Sequence, residues 1–271
     1  MKSLQIHGFL PPALNLPTTL ETLKLIKVSL HTFPTSHFPA LKILDLRENS
    51  LTSINLTLDK KLTTLSLKSN KLQLIALPRR SLKMLDLSDN QFRSLNRLPS
   101  SLRYLNLAKN PTLANLNTLY LSKLEYLNLD FCSLRNLPDM SRMPKLINMT
   151  MSNCGNLNTL QENQNMVVER LKILKLTNNG IQSLKFVPKC PKLQELDLSK
   201  NQISIIFVEF ENLFPTLRVL DLSGNLVSSF KFLGPQLRFL DLSNNLLKSV
   251  KSGMLMGLPR LTVLSLASNK V

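Results

Sequence analysis

The chain has 271 residues, 43% of them hydrophobic, and its 34 lysines and arginines against 17 aspartates and glutamates give a formal charge of +17 at pH 7. No apolar run approaches the ~18 residues that a membrane-spanning helix requires, and three cysteines are too few, and too odd in number, for a disulfide framework. A basic surplus of this size favours anionic partners in principle, so its placement along the chain decides what it means.

From the N-terminus onward one nine-residue pattern, Leu-x-x-Leu-x-Leu-x-x-Asn, recurs. It opens at Leu20, Leu41, Leu62, Leu82, Leu102, Leu124, Leu146, Leu171, Leu193, Leu217, Leu237 and Leu261, with a weaker copy at Met1 and steps of 20 to 25 residues. Inside each copy the apolar, polar, apolar alternation, as in Leu240-Asp241-Leu242, predicts a short strand with one buried face. No proline enters any of these windows; Pro78, Pro99, Pro138, Pro188 and Pro235 fall between them, where a missing backbone donor does no harm. Such units stack so that leucines from successive copies share one core, because no single copy can bury its own face.

The segments returning from one strand to the next read as extended or turn-like. Helical turns are expected at Gln161 to Arg170, Val208 to Phe214 and Ser252 to Leu258, the first being the best candidate. No linker interrupts the pattern, so residues 1–271 read as a single domain. Leu4 and Ile6 already hold strand positions and the chain stops two residues past Asn269. Solenoids need capping units over their end layers, so a fragment or an external cap is expected, with weak hydrogen-exchange protection at both ends.

The ninth position holds Val28 in the first full copy and then Asn49, Asn70, Asn90, Asn110, Cys132, Cys154, Asn179, Asn201, Asn225, Asn245 and Asn269. An inward Asn offers two donors and an acceptor to backbone groups left unpaired where the chain leaves the strand, which marks this ladder as scaffolding. Cys132 and Cys154 read as buried thiols in the same ladder, with only marginal geometry for a disulfide between them. Cys190, between Lys189 and Pro191, is expected in an exposed loop. The three histidines, His7, His31 and His37, share no metal-ligand spacing with a cysteine.

By these residues and spacings the chain resembles the leucine-rich repeat superfamily over nearly its whole length. The resemblance implies an α/β solenoid, a curved horseshoe with a parallel sheet on its concave side. The convex side would be mostly extended, turn or 3-10 structure with a few short helices. The stretch from Leu62 to Asn110, with Leu98-Pro99-Ser100-Ser101-Leu102, is similar to the Leu-Pro repeats of secreted bacterial effectors. From Leu193 onward, Leu196-Asp197-Leu198-Ser199, Leu220-Asp221-Leu222-Ser223 and Gly253-Met254-Leu255-Met256-Gly257-Leu258 are similar to repeats of Toll-like and adhesion receptor ectodomains. The family implies non-catalytic recognition of a protein partner on the concave face, in a receptor (with a link to innate immunity), a scaffold or an effector. A complete chain would be cytoplasmic; a receptor fragment would be extracellular or cell-surface.

Candidate contact residues follow from the strand positions. Basic and acidic residues nearly balance at the outward positions of the strands, which places most of the +17 on the return segments. That split disfavours a basic concave groove. It leaves nucleic-acid or anionic-surface binding through the convex side, at Lys60-Lys61 and Arg79-Arg80, as the alternative to a merely solvated exterior. No Gly-rich phosphate loop, Ser/His/Asp set or paired-carboxylate site is present, so neither catalysis nor a cofactor is expected, although repeats alone would not reveal an enzyme domain joined to them. At the third position Met84, Tyr104 and Tyr126 are neighbours, with Phe131 close by at the eighth. Exposed clustered aromatics suit a binding anchor, while cross-strand packing alone also favours them; both readings stay open. Asp197, Asp221 and Asp241 stack at the fifth position, where an acidic ladder would hold a cation or a partner's Lys or Arg, unless they are ordinary solvated strand residues beside Ser199, Ser223 and Ser243. Asn55-Leu56-Thr57 and Asn148-Met149-Thr150 match a glycosylation sequon, of consequence only in a secreted chain.

Overall fold

The computed structural model describes residues 1–9, 16–33, 38–57, 60–95, 97–116, 119–155, 157, 166–184, 187–206, 210–231 and 233–270. They form two compact units, Met1–Ser133 and Leu134–Val271.

The first unit carries strands β1 (Ser3–His7), β2 (Thr22–Ile26), β3 (Ile43–Asp45), β4 (Ser53–Asn55), β5 (Thr64–Ser66), β6 (Leu74–Ala76), β7 (Met84–Asp86), β8 (Tyr104–Asn106) and β9 (Tyr126–Asn128). Each predicted repeat strand is present at its expected position. They pair in parallel in the order β1-β2-β3-β5-β7-β8-β9, with fourth-position leucines in register, Leu44 against Leu65 and Leu85 against Leu105. From β2 onward the fourth- and sixth-position leucines of the repeat strands are buried, as are Leu51, Leu72 and Phe92 two residues beyond the ladder, so strand and return close on one core. A second, two-stranded parallel sheet, β4 with β6, lies in the return segments.

The second unit repeats the scheme with β10 (Asn148–Thr150), β11 (Ile173–Lys175), β12 (Glu195–Asp197), β13 (Val219–Asp221), β14 (Phe239–Asp241) and β15 (Val263–Ser265) in sequential parallel order. Its returns hold a 3-10 turn at Met140–Arg142 and two short helices, α1 (Phe210–Leu213) and α2 (Ser252–Leu255). Asp139 caps the 3-10 turn by accepting from the Ser141 N–H at 3.1 Å. The helices meet two of the three expectations. Of the third, residues 161–165 lie outside the described residues, while Met166 to Arg170 are not helical: Val167 forms a parallel bridge with Lys189 and the Val168 N–H donates to the Lys189 carbonyl at 2.8 Å. That pairing satisfies backbone groups that an isolated helical turn would leave exposed.

The ladder is built as its chemistry requires. Asn70 donates to the carbonyls of Leu46 in the preceding repeat and Leu67 in its own, both at 3.0 Å, and accepts from the Leu51 N–H at 3.0 Å. Asn90, Asn110, Asn225 and Asn245 repeat the arrangement, and each asparagine from Asn49 to Asn245 is buried. Cys132 substitutes for part of it: its thiol donates to the Leu107 carbonyl, the acceptor in the previous repeat. Cys132, Cys154 and Cys190 are all buried thiols. Cys190 is therefore not in an exposed loop; its N–H donates to the Leu213 carbonyl at 2.9 Å, and its thiol faces the Pro188 carbonyl. Burial pushes this thiol up to about 12. Since the unfolded thiol ionises near 9, the folded state loses stability as pH rises across that window. Accordingly, Ellman's reagent should leave all three thiols unmodified in the native protein at pH 8 and modify them on unfolding in urea. Rapid modification without urea would contradict the burial.

The eighth position carries a feature that no residue preference marks. Lys27, Glu48, Ser69, Asp89, Lys109, Phe131, Asn153, Asn178, Lys200, Asn244 and Ser268 all adopt φ between 53° and 60°, with Gly224 at 66°. At this turn the eighth N–H donates to the seventh-position carbonyl of the next repeat, as in Glu48 to Lys68 at 2.9 Å and Lys200 to Ser223 at 2.7 Å. The inter-repeat bond is retained at a local cost of ~1–2 kcal/mol per non-glycine residue. Phe131 is the bulkiest residue held there, and half of it is exposed. Phe131→Asn should therefore leave the urea-unfolding free energy unchanged or raise it by up to about 1 kcal/mol. A clear loss would mean the ring packs against the fold.

Candidate functional site

Register makes the aromatic row physical. In the first unit Met84 pairs with Tyr104 and Tyr104 with Tyr126 across β7, β8 and β9. Their side chains alternate with buried Leu85, Leu105 and Leu127, and so lie on the face of the sheet opposite the core. The two tyrosine rings stack with centroids 4.5 Å apart and planes within 2°. Stacking leaves each half-buried, whereas Met84 keeps 41% and Phe131 50% of its surface exposed. Desolvation, reinforced by Tyr126 and Asp86, pushes the Tyr104 phenol up to about 12, so it is a neutral donor at physiological pH. An Arg103–Glu125 ion pair of 2.9 Å lies beside the stack, each member preceding one of the tyrosines. The row thus offers a rigid apolar platform bordered by balanced charge.

The acidic ladder has a different local role. Asp197, Asp221 and Asp241 are in register across β12, β13 and β14 of the second unit. Each directs Oδ1 to the N–H two residues on, Ser199, Ser223 and Ser243, at 2.9, 2.8 and 2.8 Å. Asp86 and Asp45 make the same turn in the first unit. These bonds explain the Asp-x-Ser spacing as a strand-exit device. They leave the second oxygen of each ladder carboxylate outside the turn.

Sequence reading passed over Tyr120, the third tyrosine, which lies in a return segment with 60% of its surface exposed. Its position outside any repeat strand hid it; an exposed aromatic after Leu119 in a return was the only signal. Among the described residues no three His, Cys, Asp or Glu side chains gather as metal ligands, and no helix is long and apolar enough to cross a membrane. Of the two sequons, Asn55 exposes its side chain and accepts from Thr57, while Asn148 on β10 has its amide oxygen buried.

Three family models match the chain. "Leucine rich repeat" covers residues 227–271, "Leucine Rich repeats (2 copies)" covers 169–213 and 191–234, and "Leucine Rich Repeat" covers 81–105. Among solved structures the chain is similar to YopM from Yersinia enterocolitica, at 25% identity over 99% of this chain and 65% of that one, with a TM-score of 0.62. It is similar in fold to an internalin, InlF, from Listeria monocytogenes, at 20% identity over 91% and 80% of the two chains and a TM-score of 0.60. A Drosophila Toll–Spatzle complex matches at 20% identity over 93% of this chain and 36% of that one, with a TM-score of 0.71. The chain thus spans just under two thirds of YopM and about a third of the chain matched in the Toll complex.

Proposed function

The chain belongs to the leucine-rich repeat superfamily, and on that premise we propose that it is a non-catalytic module that recognises a protein partner on the outward face of its parallel sheet. The observation that carries this reading is the Tyr104–Tyr126 stack on that face. Two rings already fixed against each other lose little rotamer freedom on binding, and each presents an apolar body with a polar tip. Met84 extends the platform and Phe131 adds an exposed ring beyond it. In the second unit the free oxygens of Asp197, Asp221 and Asp241 are suited to a partner's Lys or Arg.

The test is a pull-down from extracts of the source organism with wild-type protein and the Tyr104→Ala/Tyr126→Ala variant, washed at rising salt. A protein retained by wild type, lost by the variant and weakly sensitive to salt supports the reading. Equal retention by both refutes the tyrosine platform, and steep salt loss favours phosphate contacts instead.

A further inference from the structure

The return side of the first unit contains a break. β4 and β6 pair, and Ser94 bridges Asn115 in the repeats that follow. Between these two pairs the Gln91 N–H still reaches the Leu72 carbonyl at 3.0 Å, but among the described residues no backbone bond joins Leu74–Ala76 to Arg93–Leu95. Two openings fill the break. One of about 420 Å³ is lined by Leu74, Ile75, Arg93 and Arg97. The other, of about 620 Å³, is lined by Ile75, Arg79, Arg80, Arg97, Leu98 and Tyr120. Ile75 and Arg97 belong to both, which makes them one groove.

Its chemistry is one-sided. Among the described residues no carboxylate lines either opening, and the ion pairs among them involve none of the four arginines, all of which are exposed. Leu74, with 73% of its surface exposed, and Tyr120 supply apolar surface at the border. We propose that this groove binds an extended acidic segment of a partner protein, in which carboxylates alternate with apolar side chains. Guanidinium forks match carboxylates bidentately. Ile75, Leu98 and the Tyr120 ring receive the apolar side chains, and the outer edge of β6 presents backbone groups that an added strand can pair. Nucleic acid fits less well, because Tyr120 is the one aromatic among the described lining residues and gives successive bases nothing to stack on. The groove is independent of the tyrosine platform and stands or falls without it.

Fluorescence anisotropy with a labelled peptide of repeated Glu-Glu-Leu triplets tests the idea. Wild-type protein should bind it about tenfold more tightly than the Gln-Gln-Leu counterpart, as charge-assisted pairing predicts. The Arg79→Glu/Arg80→Glu/Arg97→Glu variant should lose binding, and Tyr120→Ser should weaken it severalfold, with circular dichroism confirming the fold of both. Tyr104→Ala/Tyr126→Ala, and a Lys192→Glu/Lys200→Glu/Lys248→Glu variant with the same charge change elsewhere, should bind as wild type does. The proposal is overturned if the peptide is not bound, or if the two triple variants bind it equally. Tighter binding of oligouridine RNA or phosphatidylserine vesicles through the same arginines would also overturn it.

Discussion

Asn201→Leu should lower the urea-unfolding free energy by about 3 kcal/mol, because several buried backbone groups lose their partner at once and each such loss costs ~1–3 kcal/mol before relaxation. Asn201 accepts from the N–H groups of Asn179 and Ile181 at 2.9 and 3.0 Å, and donates to the carbonyls of Leu176, Leu198 and Ser199 at 3.0, 2.8 and 3.1 Å. Leucine matches its bulk but offers none of these contacts. The proper comparison is its exposed left-handed neighbour in the preceding repeat, Asn178, whose φ is 55°. Alanine there would add backbone strain unrelated to the ladder, whereas Asn178→Gly removes the side chain without it. Asn178→Gly should change stability by less than about 1 kcal/mol, since its side-chain bond to Asn153 is exposed. Equal losses for the two variants would show that the ladder does not hold adjacent repeats together.

The period alone made the strands, the buried leucines and the ladder legible, since a core position recurring every 20 to 25 residues admits few other arrangements. The left-handed eighth position was hidden because its occupants, among them Lys27, Glu48 and Phe131, share no chemistry. There the conformation is imposed by a bond to the next repeat, and tertiary constraint overrides local preference. Cys190 misled for a related reason: its neighbours Lys189 and Pro191 have loop character, yet the return segment packs inward through the Leu213 carbonyl. Counting positions made Met84, Tyr104 and Tyr126 neighbours, and the register agrees. Ring orientation has no sequence signature, so the face-to-face stack did not follow from it. Nor did the arginine groove, whose walls come from four different returns.

For partner binding, Tyr104→Ala and Tyr126→Ala should each weaken affinity by ~1–3 kcal/mol, the range of aromatic anchors at interfaces. With centroids 4.5 Å apart, each ring shapes the surface the other presents, so the double variant should lose less than the sum of the singles. Stability should fall by about 1 kcal/mol at most, the worth of one aromatic pair, because both rings lie off the leucine core. The Tyr104 phenol stays protonated until about pH 12, so its contribution to affinity should be flat between pH 6 and 9. Arg79→Glu/Arg80→Glu should leave this interaction intact, since those arginines line the return-side groove. Titration calorimetry of the two tyrosine singles and their double against the isolated partner, at two salt concentrations, decides the matter. Wild-type affinity in the double tyrosine variant would exclude the stack as the anchor, and strict additivity would mean that the rings act as separate contacts.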